Sequence, residues 1–181
     1  SPAVAAARKR GVDVIELRPF RERAAGSFSL LTSRSDLGVS ARDADGDDIA
    51  LVLYTSGTTS KPKRVPLTQN NLRTSAENIA ASLGLSARDR CLNVMPLFHI
   101  HGLVGGLLSS LSAAGSVAIP PDFRSSSFFD WLAELHPTWY TAVPPMHDAI
   151  LRAAKEWPGQ LDSQSLRFIR SSSAPLTPKL M

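Results

Sequence analysis

The sequence predicts an α/β fold with a mainly parallel sheet flanked by helices on both sides. Two observations lead there. From Ile49 onward, short β-forming runs alternate with helical patterns, the order that strand–helix–strand crossovers impose on a parallel sheet. The run Ile49–Tyr54 is apolar without a break, which is expected of a central strand buried on both faces.

The elements follow in order. Pro2 to Arg10 is Ala-rich and meets Gly11, a helix with a glycine stop. Val12 to Leu17 reads as a short strand. Arg18 to Asp48 has little periodicity and reads as a connector, with a short helix near Arg21 to Ala25. This sets a division into residues 1–48, a strand/helix segment with its connector, and residues 49–181, the α/β subdomain. After Ile49–Tyr54 comes a polar loop from Thr55 to Lys63, then an extended piece at Val65–Leu67. Thr68 is placed to cap a helix through Leu72, Ile79 and Leu83 that ends at Gly84. Strands are expected at Arg90–Met95, Ser116–Ile119, Thr138–Val143 and Leu166–Ile169. Helices are expected at Gly102–Leu111, Ser127–Leu135 and Pro145–Glu156, with another opening at Pro178.

Composition narrows the class. In 181 residues, 43% are hydrophobic and 20% charged, which gives a core-forming chain rather than a disordered one. The net charge of +4 is spread along the chain, apart from Arg8-Lys9-Arg10 and the Lys61/Lys63/Arg64 group, so no nucleic-acid partner is expected. The single cysteine, Cys91, excludes an internal disulfide framework and fits a reducing, cytoplasmic location. The apolar stretch Ile100–Ile119 is interrupted by serines, glycines and His101, so it reads as buried helix and strand and no transmembrane segment is expected. The N-terminal Ser1-Pro2-Ala3 does not look like a signal peptide.

The strongest chemical signal is LYTSGTTSKPKRVPLTQNNL, residues 53–72. Thr55, Ser56, Thr58, Thr59 and Ser60 supply hydroxyls. Gly57 permits a tight turn and close approach of a ligand, and Lys61 and Lys63 add positive charge. Such a loop suits phosphate oxygens, although the Gly-Lys-Ser/Thr ending of a Walker loop is missing. On chemistry alone the loop reads equally well as a polar connection between strands.

The order of its residues resembles the signature of the adenylate-forming (AMP-binding) superfamily of acyl-CoA synthetases, luciferases and peptide-synthetase adenylation domains. The resemblance implies that Thr55, Ser56, Gly57, Thr58, Thr59 and Lys63 hold the β- and γ-phosphates of ATP. It implies that Lys63 also acts in catalysis, and that Thr58 meets Mg together with a glutamate outside this chain. Ser60 and Arg64 stand where the family usually has glycine.

Three further segments carry the likeness. In MPLFHIHGL, residues 95–103, the resemblance puts Phe98, His99 and His101 at the acyl pocket and gives His99 a catalytic, orienting role. A His-x-His pair can also bind metal, but no suitable third ligand sits near it in sequence. PTWYTAVPPMHDAIL, residues 137–151, resembles a segment shaping the substrate side, with His147 read as a helix-surface residue. In LRFIRSSSAPLTPKL, residues 166–180, Arg170, Ser171 and Ser173 are implied as acyl-pocket residues at a strand end, where ligands of open α/β sheets bind.

Together these segments look like those of oxalate–CoA ligases and their bacterial acyl-CoA synthetase relatives, and a polar pocket suits a small dicarboxylate. The implied activity is AMP-forming ligation of a carboxylic acid to CoA, with ATP, Mg and CoA as cofactors. The alternatives are an adenylation domain serving a carrier protein, an oxygenating relative, or a non-catalytic scaffold that keeps the fold. The family's adenine-stacking, ribose-binding and C-terminal lysine motifs are expected beyond Met181. This piece alone is therefore expected to be inactive, and to self-associate through unpaired edges.

Overall fold

The computed structural model describes residues 2–24, 26–32, 42–55, 62–155 and 166–180. These form two compact units, Ser1–Asp43 and Ala44–Met181.

In the first unit, α1 (Pro2–Lys9) ends at Gly11 with φ +67°, a left-handed stop that glycine adopts without steric cost. Two antiparallel strands follow, β1 (Glu16–Pro19) and β2 (Phe28–Leu31), registered Glu16↔Leu31 to Pro19↔Phe28. The strand expected at Val12–Leu17 thus begins later, and the supposed connector contains a strand of its own. The short helix expected at Arg21–Ala25 is not formed: Arg21–Ala24 lies in the turn region between β1 and β2, where Phe20 N–H donates to Ser27 O at 2.9 Å. Neither strand buries a face, so no apolar alternation marks them in sequence.

The second unit opens with β3 (Ile49–Thr55) paired antiparallel to β4 (Lys63–Thr68). This corrects the expectation of a central parallel strand. Ile49 is 62% exposed and Tyr54 69%. An apolar run specifies that a strand can be buried, while its partner is set by tertiary pairing. Here the nearest strand in sequence closes a short loop at small entropic cost.

Thr68 then caps α2 (Gln69–Ser82) as expected. Its hydroxyl accepts from Asn71 N–H, and the Asn71 side chain accepts from Thr68 N–H, the reciprocal bonding of a capping box. Gly84, φ +57°, lies just beyond the helix end. The segment before β3 is tied to the start of α2, because Gly46 O accepts from Asn70 N–H at 2.8 Å and Asp48 O from Gln69 N–H at 3.0 Å.

The core of the unit is a four-stranded, all-parallel sheet. Its strands are β5 (Arg90–Asn93), β6 (Ser116–Ala118), β7 (Trp139–Ala142) and β8 (Phe168–Ser171), in the order β6-β5-β7-β8. Between β5 and β6 run a π-helix, His101–Leu108, and α3 (Ser109–Ser112). Between β6 and β7 lies α4 (Phe128–Leu135), and after β7 comes α5 (Pro144–Ala154). Alternation along the strands sends neighbouring side chains to opposite faces. Leu92, Tyr140 and Ala142 pack with Phe128, Phe129, Leu132 and Ile150 of α4 and α5 in one buried cluster. Cys91, Asn93, Trp139 and Thr141 face the other way, toward the π-helix and α3. The sheet is therefore flanked by helices on both sides.

At the lower edge, buried Asp89 ties three strands together. Its carboxylate accepts from Ser86 N–H at 2.8 Å, Thr138 Oγ1 at 2.9 Å and Arg167 at 3.1 Å. Arg167 also donates to Gly84 O at 3.1 Å. Burial opposes ionisation of Asp89, but the hydrogen bonds from Thr138, Ser86 and Arg167 outweigh it and hold the group below the usual carboxylate range.

Candidate active site

The candidate site lies at the upper end of the sheet, where β5, β7 and β8 finish. In a parallel sheet this is the end where the helices begin and the loops leave room for a ligand. Four side chains from four segments meet there. His101, from the first turn of the π-helix, is 6% exposed. Its Nε2 is 2.6 Å from Thr141 Oγ1 on β7, and its Nδ1 is 3.0 Å from Ser173 Oγ, just past β8. Arg170 of β8 donates from Nη1 to the same Thr141 oxygen at 3.2 Å. The β7–β8 register puts Thr141 opposite Arg170, so both side chains share one face of the sheet.

Local backbone makes the meeting possible. A Cβ on Gly105 would lie 2.9 Å from Arg170 Nη1, and one on Gly106 would lie 2.7 Å from the Asn93 side chain. The absent side chains let the helix sit close over the sheet. Asn93 donates to Gly102 O at 3.0 Å, fixing the start of the helix against β5. Ser109 and Ser110 hydroxyls donate back to the carbonyls of Gly105 and Gly106, at 2.9 and 2.7 Å. That satisfies buried acceptors of the wide turns. Ser173 has φ +72°, a strained conformation for a residue with a side chain.

The electrostatics are one-sided. Burial, reinforced by nearby Arg170, lowers the His101 pKa to about 4, so its imidazole is neutral at pH 7. The cation of the cluster is Arg170. Burial lowers its pKa, and no carboxylate pairs with it among the described residues. A half-buried guanidinium with unused N–H donors attracts an anion.

The other expected site residues fall into three sets. Phe98 and His99 lie on the loop after β5, exposed, with ring centroids 4.5 Å apart. Thr55 ends β3 directly opposite Lys63, the first residue of β4. Ser56, Gly57, Thr58 and Thr59 lie outside the described residues. Ser171 shares β8 with Arg170 but is its immediate neighbour, so it faces the opposite side of the sheet, where its hydroxyl is buried.

One histidine reading changes. His147 is no surface residue: it is 6% exposed, and its Nδ1 pairs with the Tyr140 hydroxyl at 3.1 Å. It lies on the inward face of α5, against β7. Burial lowers its pKa, despite the backbone carbonyls of Arg170 and Ala142. Thr141 was not singled out in sequence, because threonine is an ordinary strand former. The alternation of TWYTA, which turns Trp139 and Thr141 to one face, was the available signal. Among the described residues no three His, Cys, Asp or Glu side chains group to hold a metal, and no helix is long and apolar enough to cross a membrane.

Known proteins share both the sequence and this architecture. The family model of the AMP-binding enzyme matches residues 3–181. An oxalate–CoA ligase of Arabidopsis thaliana is 44% identical over 167 residues, 84% of this chain and 32% of that protein. A sulfoacetate–CoA ligase of Cupriavidus necator is 36% identical over 174 residues, 96% of this chain and 33% of that protein. The chain thus spans about a third of the length of these curated relatives. Among solved structures, a malonyl-CoA ligase in a ternary product complex with methylmalonyl-CoA and AMP superposes with TM-score 0.68 at 34% identity, over 78% of this chain and 31% of that one. The inhibitor-bound N-terminal domain of FACL13 from Mycobacterium tuberculosis gives 0.70 at 28% identity, over 78% of this chain and 35% of that one.

Proposed function

Because this chain belongs to the AMP-binding enzyme family, we propose that it is part of an AMP-forming acid–CoA ligase acting on a small dicarboxylate such as oxalate. In the first half-reaction an oxygen of the acid's carboxylate attacks the α-phosphorus of ATP. The bond to the β-phosphate breaks, giving acyl-adenylate and pyrophosphate. In the second, the CoA sulfur attacks the acyl carbonyl and AMP leaves with the bonding electron pair.

The observation that carries the substrate reading is the Arg170 guanidinium, unpaired by any carboxylate among the described residues, at the upper end of a parallel sheet. One carboxylate of the substrate reacts, and the other is held by Arg170 and Ser173. A purely alkyl acid would cover those donors without pairing them, the arrangement that rejects a substrate most strongly. Phe98 and His99 flank the pocket from the loop after β5, where His99 orients the acyl group. Thr55 and Lys63, with Ser56 to Thr59 between them, hold the ATP phosphates. Mg, a hard cation that prefers oxygen ligands, suits the hydroxyl of Thr58 together with a glutamate from outside this chain, and would offset the charge of the phosphates. A cytoplasmic location, suggested by the single cysteine, belongs to the same reading.

The test is acid-dependent exchange of pyrophosphate into ATP by the full-length protein, with oxalate, malonate and hexanoate compared. Oxalate is expected to support the fastest exchange. Arg170→Ala is expected to lower kcat/KM for oxalate about 10- to 100-fold, as loss of one or two charged hydrogen bonds implies. Preference for hexanoate, or an Arg170→Ala protein as active on oxalate as the parent, would overturn the substrate assignment.

A further inference from the structure

We infer that Thr141 is a positioning residue of the acid site: its hydroxyl sets the His101 tautomer and the Arg170 guanidinium together, so that Ser173 presents a hydrogen-bond donor to the substrate. This rests on the reading of the cluster as a carboxylate pocket, but its first step concerns the protein alone.

The direction of each bond follows from donor counting. A guanidinium has no acceptor, so Thr141 Oγ1 accepts from Arg170 Nη1 at 3.2 Å. Thr141 is fully buried, and its own proton needs an acceptor. The partner in reach is His101 Nε2 at 2.6 Å. Were Nε2 protonated, Thr141 would face two N–H donors and its hydroxyl proton would be left without a partner, a costly arrangement in a buried site. The hydroxyl therefore donates to Nε2, which puts the imidazole proton on Nδ1. Nδ1 then donates to Ser173 Oγ at 3.0 Å. Ser173, with its oxygen accepting, keeps its own O–H for a partner outside the cluster, and its side is the exposed one.

The relay runs Arg170, Thr141, His101, Ser173, every bond pointing the same way. Such chains polarise one another. The result is a cluster that offers donors outward: the remaining Arg170 N–H groups and the Ser173 hydroxyl proton. That set matches a carboxylate, which accepts only. Contact with His101 also explains how Ser173 is held in its positive-φ conformation.

Two measurements test it. In the full-length protein with histidine rings labelled by ¹⁵N, His101 is expected to be neutral and protonated at Nδ1. Thr141→Val, which keeps the shape and removes the hydroxyl, is expected to release that constraint so that the Nε2-protonated form becomes populated beside the Nδ1 form, and Thr141→Ser to restore the parental state. In pyrophosphate exchange with oxalate, Thr141→Val is expected to raise the KM for oxalate about 10-fold while the KM for ATP holds, and Thr141→Ser to recover the parental value. An Nε2-protonated His101 in the parent protein overturns the relay, and that result stands even if Thr141→Val fails to fold. An unchanged oxalate KM in a folded Thr141→Val protein overturns the positioning role. If the parent protein ignores oxalate yet shows the expected tautomer and its response to Thr141→Val, the relay holds and it is the substrate reading that fails.

Discussion

The two faces of the four-stranded sheet are built from the same strands and do different work. On the face toward α4 and α5, Leu92, Tyr140 and Ala142 meet Phe128, Phe129, Leu132 and Ile150, all at most 5% exposed. On the face toward the π-helix, equally buried positions hold Asn93, His101 and Thr141, beside Arg170. The first face removes apolar area from water without needing direction. The second buries polar groups, each of which must find a partner. His101, Thr141, Arg170 and Ser173 find theirs in one another, while the buried Trp139 Nε1 on the same face has no partner among the described residues. One face makes the fold stable, and the other uses that stability to hold donors in place. That division lets the Arg170 guanidinium stay half-buried with no carboxylate partner among the described residues.

The contrast breaks most visibly at Phe128. Its ring packs edge-on against Tyr140, with centroids 4.9 Å apart, and against Phe129 at 5.5 Å. Phe128→Ala is expected to cost about 3–5 kcal/mol of stability, read as a shift of the denaturant midpoint at unchanged slope. A loss below about 1 kcal/mol would mean that this face is not the stabilising one.

Acid tests the buried histidines, His101 on the polar face and His147 on the other. The folded state holds the His101 pKa near 4, below its unfolded value of about 6.5, and the His147 pKa is lowered too. Below pH 6.5 the unfolded chain therefore takes up a proton at residue 101 that the folded chain refuses until about pH 4, and stability falls as pH drops through that window. Asp89, also lowered, adds a loss at still lower pH. Thermal unfolding should show the melting temperature falling between pH 6.5 and 4, with a shallower fall in His101→Gln. Equal slopes for the two proteins would remove His101 from the account.

The smallest effect is expected outside the sheet. Ile49 on β3 is as apolar as Leu92 on β5, but it is 62% exposed against 0%. Ile49→Thr is expected to change the stability of the 181-residue chain by less than about 0.5 kcal/mol. We also propose that this exposed strand promotes self-association of the isolated chain. Light scattering over a concentration series should then show a mass above the monomer that Ile49→Thr lowers. A monomer at every concentration would exclude that role.

What the sequence determined by itself is whatever depends on near neighbours along the chain. The capping pattern Thr68-x-x-Asn71 and the stops Gly11 and Gly84 act within one turn of helix, and the strand–helix alternation after Arg90 needs only local periodicity. The order of elements, the parallel class of the main sheet and the polar signature loop were legible for that reason. Tertiary structure alone decided which strands pair and which faces are covered. Ile49–Thr55 had the composition of a core strand and became an exposed hairpin strand, because composition does not name a partner. His147 reads in sequence as a helix-surface residue and instead turns inward onto Tyr140. His101 meets Thr141 across 40 positions and Ser173 across 72, separations over which no local pattern carries information. The polar cluster exists only once parallel pairing brings the ends of β5, β7 and β8 side by side.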